Sequence, residues 1–240
     1  MTILIKASII KTEFEFEIKM KGEKMFILHA LGNGFCAFLD FGAGTFIVFL
    51  TSVFLGHDVS IFSYFAGGVL GLVPDLDVLF MFVRKGKMYD DHHQWLTHRP
   101  IVMLPFSLIP GMIAGDLFWF ITAGACIFWH FLHDTEGVFG GAGIAWFWPF
   151  SKKYISPFKA AIDPEESESW QYRLTQTEIM EVIWLRPSKT SLGELSAGSL
   201  LFSIVTGNIF GPIFGSTIFI LIWITIVSTW LVYTHLKARH

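Results

Sequence analysis

The chain contains long apolar runs, which leave few folds open to it. Three of them are Phe35 to Leu55, Ile61 to Val83 and Ser199 to Leu236. A helix needs about 20 predominantly apolar residues to cross the ~30 Å hydrocarbon core of a bilayer. The first two runs have about this length, and the third is longer than one crossing requires. The sequence therefore predicts an all-α protein, a polytopic bundle of membrane helices.

Two shorter runs predict further helices. Ile101 to Ile113 contains two prolines and indicates a partial or tilted span, and Leu117 to Leu132 follows it. In the last long run, glycines and a proline between residues 207 and 215 favour a hairpin, with one long tilted helix as the alternative. Composition agrees with membrane embedding, because only 15% of the residues are charged, against about 25% in soluble domains.

The charge and cysteine content exclude two classes of site. The formal net charge is −3 and no arginine-rich or RNA-binding motif is present, so we expect no direct contact with nucleic acid. The two cysteines, Cys36 and Cys126, both lie inside apolar runs. They predict neither a disulfide framework nor a thiolate zinc site. Any metal ligands are therefore expected to be histidine and carboxylate.

Ionisable residues at the end of an apolar run are the strongest functional signal. His130 and Asp134 are four residues apart, so on a helix they share one face, with His133 beside them. A charged group that faces lipid is costly, so Asp134 is expected to face protein, water or a cation. An imidazole and a carboxylate placed in this way can hold one metal ion. His133 is open to three interpretations: a ligand, a supporting group or an exposed neighbour.

Further polar residues interrupt the apolar sequence. Pro74 breaks the second long run just before Asp75 and Asp77. One carboxylate can ligate a metal while the other caps a helix or orients a histidine, and the alternative is that both are helix caps. His93 and His98 follow in a polar segment, where the alternative to a metal role is exposure at the surface or interface.

The distribution of basic residues predicts an orientation. If each two consecutive apolar runs form a helical hairpin, the clusters of Lys and Arg all lie on one side of the membrane. By the positive-inside tendency this side is cytoplasmic. The same side then receives the candidate site residues: His29, Asp75, Asp77, His93, His98, His130 and Asp134. We therefore expect a polar metal-site cluster at one face of the bundle.

Histidine and carboxylate ligands without thiolate favour zinc, manganese or iron. A metal with an open position activates water for attack on an ester or phosphoester. The sequence contains no serine-nucleophile elbow, zincin motif or P-loop, so the corresponding hydrolase classes lack support.

The order of these residues resembles the YdjM-like family of inner-membrane-associated metal-dependent hydrolases. The resemblance covers about residues 25 to 155 and rests on short motifs: His29, Val73 to Asp77, His93 to His98, His130 with Asp134, and Trp148 to Ser151. The chain departs from the family's His-Arg-Gly-x-Thr-His-Ser pattern, because Gln94, Trp95 and Arg99 replace its arginine, glycine and serine.

The resemblance implies an integral protein of a prokaryotic inner membrane that uses a divalent metal to hydrolyse an ester or phosphoester. The metal implied is zinc, or else manganese or iron, and a lipid is among the implied substrates. A more distant similarity to zinc-dependent phospholipase C implies the same kinds of ligand. The ligands proposed on this basis are His29, Asp75, His93, His130 and Asp134. Asp77 and His98 are assigned as general base or supporting groups.

The chain divides into four parts on this interpretation. These are a polar N-terminal segment 1–24, a hydrolase-like membrane domain 25–155, a polar linker 156–197, and a C-terminal hairpin or long helix 198–240. The family start coincides with Met25, which suggests that residues 1–24 are translated upstream sequence. The alternative is a short strand, since polar and apolar residues alternate there.

Two other functions are compatible with the same residues. A membrane di-iron oxidase or desaturase-like enzyme would use paired histidines, for which the 92–98 cluster and the 130–133 pair come closest. A non-catalytic membrane scaffold or regulatory protein would use the polar groups only to satisfy one another in the bundle core. The metal content of the purified protein separates these functions from a hydrolase.

Overall fold

The computed structural model describes residues 27–28, 30–76, 95–136, 143–156, 159–162 and 180–238. Within them the chain is predominantly helical, which confirms the all-α prediction. The α-helices are α1 Phe38–Leu55, α2 Ile61–Gly71, α3 Pro100–Phe106, α4 Leu108–Ala114, α5 Leu117–Glu136, α6 Lys189–Phe210 and α7 Pro212–Lys237. Residues 30–36 are also helical and lead into α1. The segment 1–24 and the predicted start at Met25 lie outside the described residues.

Three helices of the described part are long and apolar enough to cross a membrane. They are α1, α6 and α7, with 18, 22 and 26 residues. Two shorter apolar stretches, Ile61–Gly71 and Pro100–Ala114, accompany them. This arrangement agrees with the predicted polytopic membrane bundle.

Glycines let α1 pack directly against α2 and α6. A Cβ on Gly67 of α2 would lie 2.7 Å from the carbonyl oxygen of Gly44 in α1. A Cβ on Gly42 of α1 would lie 2.6 Å from the carbonyl oxygen of Gly198 in α6. Such separations leave no room for a side chain, so the helix backbones touch. Polar side chains near these contacts are thereby brought within reach of one another.

The second apolar run is broken where the sequence predicts a break. Helix α2 ends at Gly71, and Pro74–Leu76 forms a 3-10 turn, because a proline disfavours helical backbone at the residue before it. A second 3-10 turn, Leu96–His98, precedes α3. Residues 77–94, and with them the end of the predicted run, lie outside the described part of the chain.

The predicted partial span 101–113 forms two short helices. Helices α3 and α4 have seven residues each and meet at Ser107. Helix α4 packs against α5 at Gly111, where any side chain would overlap the ring of Phe120. The short helices therefore lie against α5, which carries the polar residues expected at its end.

The segment after α5 contains a small antiparallel ribbon. Its strands are β1 Tyr154–Ser156 and β2 Lys159–Ile162. Ahead of them, the indole Nε1 of Trp146 donates to the hydroxyl of Thr135 at 2.7 Å. This hydrogen bond ties the segment to the last turns of α5.

The C-terminal run forms a hairpin, which decides between the two predicted alternatives. Gly211, with a φ of 101°, separates α6 from α7, and Pro212 is the first residue of α7. Helix α6 begins at Lys189, ahead of the predicted boundary at 198, because Ser188 and Ser191 form a capping box there. The hairpin packs around a buried apolar cluster: Met180, Ile183, Trp184, Leu195, Ile226 and Trp230.

Candidate metal centre

Polar residues gather where the first turn of α1, the end of α2 and the last turns of α5 meet. The carbonyl oxygen of Asp40 in α1 lies against Gly71 at the end of α2, where any Cβ would overlap it. The two 3-10 turns and α6 also reach this region. Together these elements contribute four carboxylates and three imidazoles: Asp40, Asp75, His98, His130, His133, Asp134 and Glu194.

Asp75, His98 and His130 offer ligand atoms that all lie within 4.8 Å of one another. Nε2 of His98 is 3.3 Å from Oδ1 of Asp75, and Nε2 of His130 is 3.5 Å from the same oxygen. The two Nε2 atoms are 3.5 Å apart. Oδ2 of Asp134 lies 3.2 Å from Nε2 of His130 and 3.7 Å from Nε2 of His98. We call these four residues the donor cluster.

The spacing of the donor cluster fits a metal ion. Four donors arranged tetrahedrally at about 2.1 Å from a common centre are about 3.4 Å from one another. The ligand atoms of Asp75, His98 and His130 are 3.3 to 3.5 Å apart, which is close to this value. Asp134 lies 3.2 Å from His130 and 3.7 Å from His98. Imidazole nitrogen and carboxylate oxygen are donors that zinc, manganese and iron accept. The donor cluster can therefore hold a divalent metal ion.

The ring of His130 is oriented as a metal ligand requires. Its Nδ1 lies 2.9 Å from the carbonyl oxygen of Gly71. A carbonyl oxygen only accepts, so Nδ1 carries the proton and donates it. The lone pair of the neutral ring is then on Nε2, the atom that faces Asp75, His98 and Asp134. Metal-ligating histidines commonly hold their second nitrogen in this way.

Burial and charge at the cluster also favour a cation. The residues His98 and His130 are 0% and 1% exposed, while the side chains of Asp134 and Asp75 are 12% and 27% exposed. Carboxylates withdrawn from water cost several kcal/mol each unless a positive charge compensates them. A divalent ion between the two aspartates would supply that compensation.

A second set of polar residues lies behind His130. Oδ2 of Asp40 is 3.4 Å from Nδ1 of His130 and 3.3 Å from Nδ1 of His133. Nε2 of His133 is in turn 3.5 Å from Oε1 of Glu194. We call Asp40, His133 and Glu194 the supporting chain. It connects α1, α5 and α6 at the back of the donor cluster.

The structure brings together four of the residues predicted from the sequence: Asp75, His98, His130 and Asp134. Nε2 of His98 is one of these donor atoms. The sequence had instead predicted that His98 is a general base or a supporting group. The other predicted residues lie outside the described part of the chain: His29, Asp77 and His93.

Sequence reasoning missed Asp40 and Glu194. Asp40 had a usable signal, because an ionisable residue inside a span-length apolar run is a functional candidate by default. Glu194 had none, since it falls in the segment assigned as polar linker, where a glutamate is unremarkable. Its role follows only from the packing of α6 on α1.

Comparison with known protein families matches residues 41–209 to the YdjM inner membrane protein family. The matched range is more than half of the chain and contains the whole donor cluster. No curated protein and no solved structure matches the chain.

Proposed function

The chain belongs to the YdjM inner membrane protein family, and we propose that it is a membrane-bound hydrolase that uses a divalent metal to cleave an ester or phosphoester. The family and the three long apolar helices support its placement in the inner membrane. The observation that carries the hydrolytic function is the donor cluster, where the ligand atoms of Asp75, His98 and His130 lie within 3.5 Å of one another and Asp134 lies within 3.7 Å of both imidazoles.

Asp75, His98, His130 and Asp134 are the residues that would hold the metal. A metal bound there would act as a Lewis acid, able to polarise an ester and activate water. His98 belongs to this set because its Nε2 is as close to Asp75 as that of His130 is. His29 and His93 remain proposed ligands from the sequence, and Asp77 remains proposed as general base or supporting group.

The side chains of the donor cluster differ in exposure, which suggests different roles in substrate access and proton transfer. Asp75 is the most exposed of the four, so a substrate approaches from its side, while the buried histidines keep the donor geometry fixed. A carboxylate has two oxygens, so Asp134 can ligate through Oδ2 and accept a proton from water at the other oxygen.

The surroundings of the cluster favour an amphiphilic substrate. Leu76 follows Asp75 on the first 3-10 turn and is 45% exposed. Leu96 precedes His98 on the second 3-10 turn and is 59% exposed. An apolar approach next to a polar centre suits a lipid whose ester or phosphoester lies at the membrane surface. We place this surface on the cytoplasmic side, as the distribution of basic residues predicts.

The test is elemental analysis of the detergent-purified protein, with His130→Ala and Asp134→Ala beside the wild type. We expect zinc or manganese in a stoichiometric amount, and its loss in both variants, whereas iron would favour the oxidase or desaturase-like function. His57→Ala is the matched control, because His57 pairs with Asp116 at 3.4 Å just ahead of the first residue of α5, about 20 Å from His130 along the helix. The control should keep its metal.

The results separate the possible functions. A folded wild-type protein without stoichiometric metal would overturn the hydrolase proposal and leave the scaffold function. Full metal occupancy in both variants would show that the ion lies elsewhere. Bound zinc or manganese lost in the variants justifies a screen of phosphoesters and lipid esters, and release of product from one of them completes the test.

A further inference from the structure

The second ring nitrogen of His130 has two acceptors. Nδ1 lies 2.9 Å from the carbonyl oxygen of Gly71 and 3.4 Å from Oδ2 of Asp40. The carbonyl belongs to the backbone at the end of α2, so no side-chain exchange can alter it without moving the helix. The carboxylate of Asp40 is therefore the side-chain partner of Nδ1, beside the backbone carbonyl of Gly71.

Asp40 is an unusual residue for its position. It is the third residue of α1, in an apolar helix of span length, and it is 3% exposed. A carboxylate buried in this way costs several kcal/mol unless it is paired and hydrogen-bonded. Among the described residues its Oδ2 has two imidazole partners, His130 and His133. Its Oδ1 is buried and has no hydrogen-bond partner in that part of the chain.

His133 holds Asp40 from the same helix that carries His130. The two histidines are three positions apart on α5, so their rings project from one face towards α1. Both nitrogens of His133 face carboxylate oxygens, Asp40 at 3.3 Å and Glu194 at 3.5 Å. The supporting chain therefore fixes Asp40 from α5 and, through His133, from α6.

Glycine contacts keep the supporting chain in register. Gly198 lies one turn after Glu194 on α6. A Cβ on Gly198 would lie 2.8 Å from the carbonyl oxygen of Phe38 in α1. At Gly71, any Cβ would overlap the carbonyl oxygen of Asp40 itself. The backbones on both sides of Asp40 are thus in direct contact, which leaves its side chain little freedom to move away from His130.

We propose that Asp40 is the positioning residue of the metal centre, held by His133 and Glu194, and that it orients the His130 imidazole so that Nε2 faces the metal. The inference rests on the proposed metal site but concerns residues that lie outside the donor cluster. Carboxylates behind a metal-ligating histidine typically change metal affinity 10- to 100-fold when removed. Asp40 touches no donor atom, so it acts only through the ring that it holds.

The test is the zinc affinity of the full-length protein in detergent, measured by competition with a chromophoric chelator. Asp40→Leu removes both acceptor oxygens, and we expect a loss of zinc affinity of about 100-fold. Asp40→Asn keeps one acceptor for Nδ1–H of His130, and we expect a smaller loss of about tenfold. Asp116→Asn is the matched control, since Asp116 also faces a histidine, His57, far from the cluster, and asparagine keeps an acceptor for the N–H of Phe118 at the start of α5. This control should bind zinc as the wild type does.

A second readout distinguishes positioning from a merely structural role. In the cobalt-substituted protein, the visible absorption bands report the ligand field, and we expect them to shift in Asp40→Asn but not in Asp116→Asn. If Asp40 were only structural, folded Asp40→Asn would bind zinc with wild-type affinity and show unshifted cobalt bands, and that result would overturn the inference. A wild-type protein that binds no zinc, manganese or iron would overturn the proposed function and the inference together. Failure of the Asp40 inference alone is therefore distinguishable from failure of the proposed metal site.

Discussion

The Nε2 atoms of His98 and His130 lie 3.5 Å apart, although the residues are 32 positions apart in the chain. One is on a 3-10 turn and the other on the 20-residue helix α5. Both rings are almost fully buried and point their nitrogens at Asp75. One metal ion bound by both nitrogens would explain this arrangement better than separate roles for the two histidines.

His98→Ala tests this relationship directly. If His98 is a ligand, the variant loses metal as His130→Ala does, because one of the three mutually close ligand atoms is then missing. If His98 were a general base, the variant would keep its metal and lose only activity. Metal content by mass spectrometry therefore decides between the two roles, with His57→Ala as the control that keeps both.

Metal removal should lower the stability of the folded protein. An ion that binds the folded state alone stabilises it by about 2.7 kcal/mol when its concentration is 100 times the dissociation constant. We expect a chelator to lower the melting temperature in detergent and zinc to restore it. His130→Ala should abolish the response to zinc, and an equal response in this variant would place the stabilising ion at another site.

Gly198→Ala should disturb both folding and the supporting chain. The new methyl group would lie 2.8 Å from the carbonyl oxygen of Phe38 and 2.9 Å from Cα of Leu39, so α6 must move away from α1. Overpacking of this kind costs about 1–3 kcal/mol, and we expect a lower melting temperature together with weaker zinc binding. Gly124→Ala on α5 is the control, since the nearest atom would be the hydroxyl of Ser107 at 3.7 Å. It should be neutral or slightly stabilising, because alanine favours a helix over glycine.

The start of α6 can be tested at its capping box. Ser188 accepts the backbone N–H of Ser191 at 3.0 Å, and the hydroxyl of Ser191 accepts the N–H of Ser188 at 2.9 Å. Ser188→Ala should cost about 1 kcal/mol and fray the turn that precedes Glu194. Ser196→Ala, at an exposed position of the same helix, should leave the melting temperature unchanged. Equal melting temperatures for both variants would show that the cap is not needed to hold this end of α6.

The parts of the site that were predictable are those set by local geometry. His130 and Asp134 meet at 3.2 Å because four residues make about one helical turn. Asp75 lies at the break because Pro74 ends the helical path just before it. In both cases the chain within a few residues determines where the side chain goes.

The parts that were not predictable depend on contacts between distant segments. Glu194 reaches His133 only because Gly42 and Gly198 let α1 and α6 touch. Nothing within α6 itself indicates that contact, since glycine and serine there are equally compatible with a lipid-facing surface. The same reason applies to His98, whose position beside His130 is set by the packing of two short turns and not by its own neighbours in sequence.

The donors come from three separate elements, the Pro74–Leu76 turn, the Leu96–His98 turn and α5. A chain whose helices have been inserted but not yet packed therefore has scattered donors and no centre at all. Because a site that exists only in the assembled state couples metal binding to folding, a metal ion would bind only after the helices have packed. A chain that is incompletely assembled therefore lacks the centre, and any chemistry that depends on it, by geometry alone.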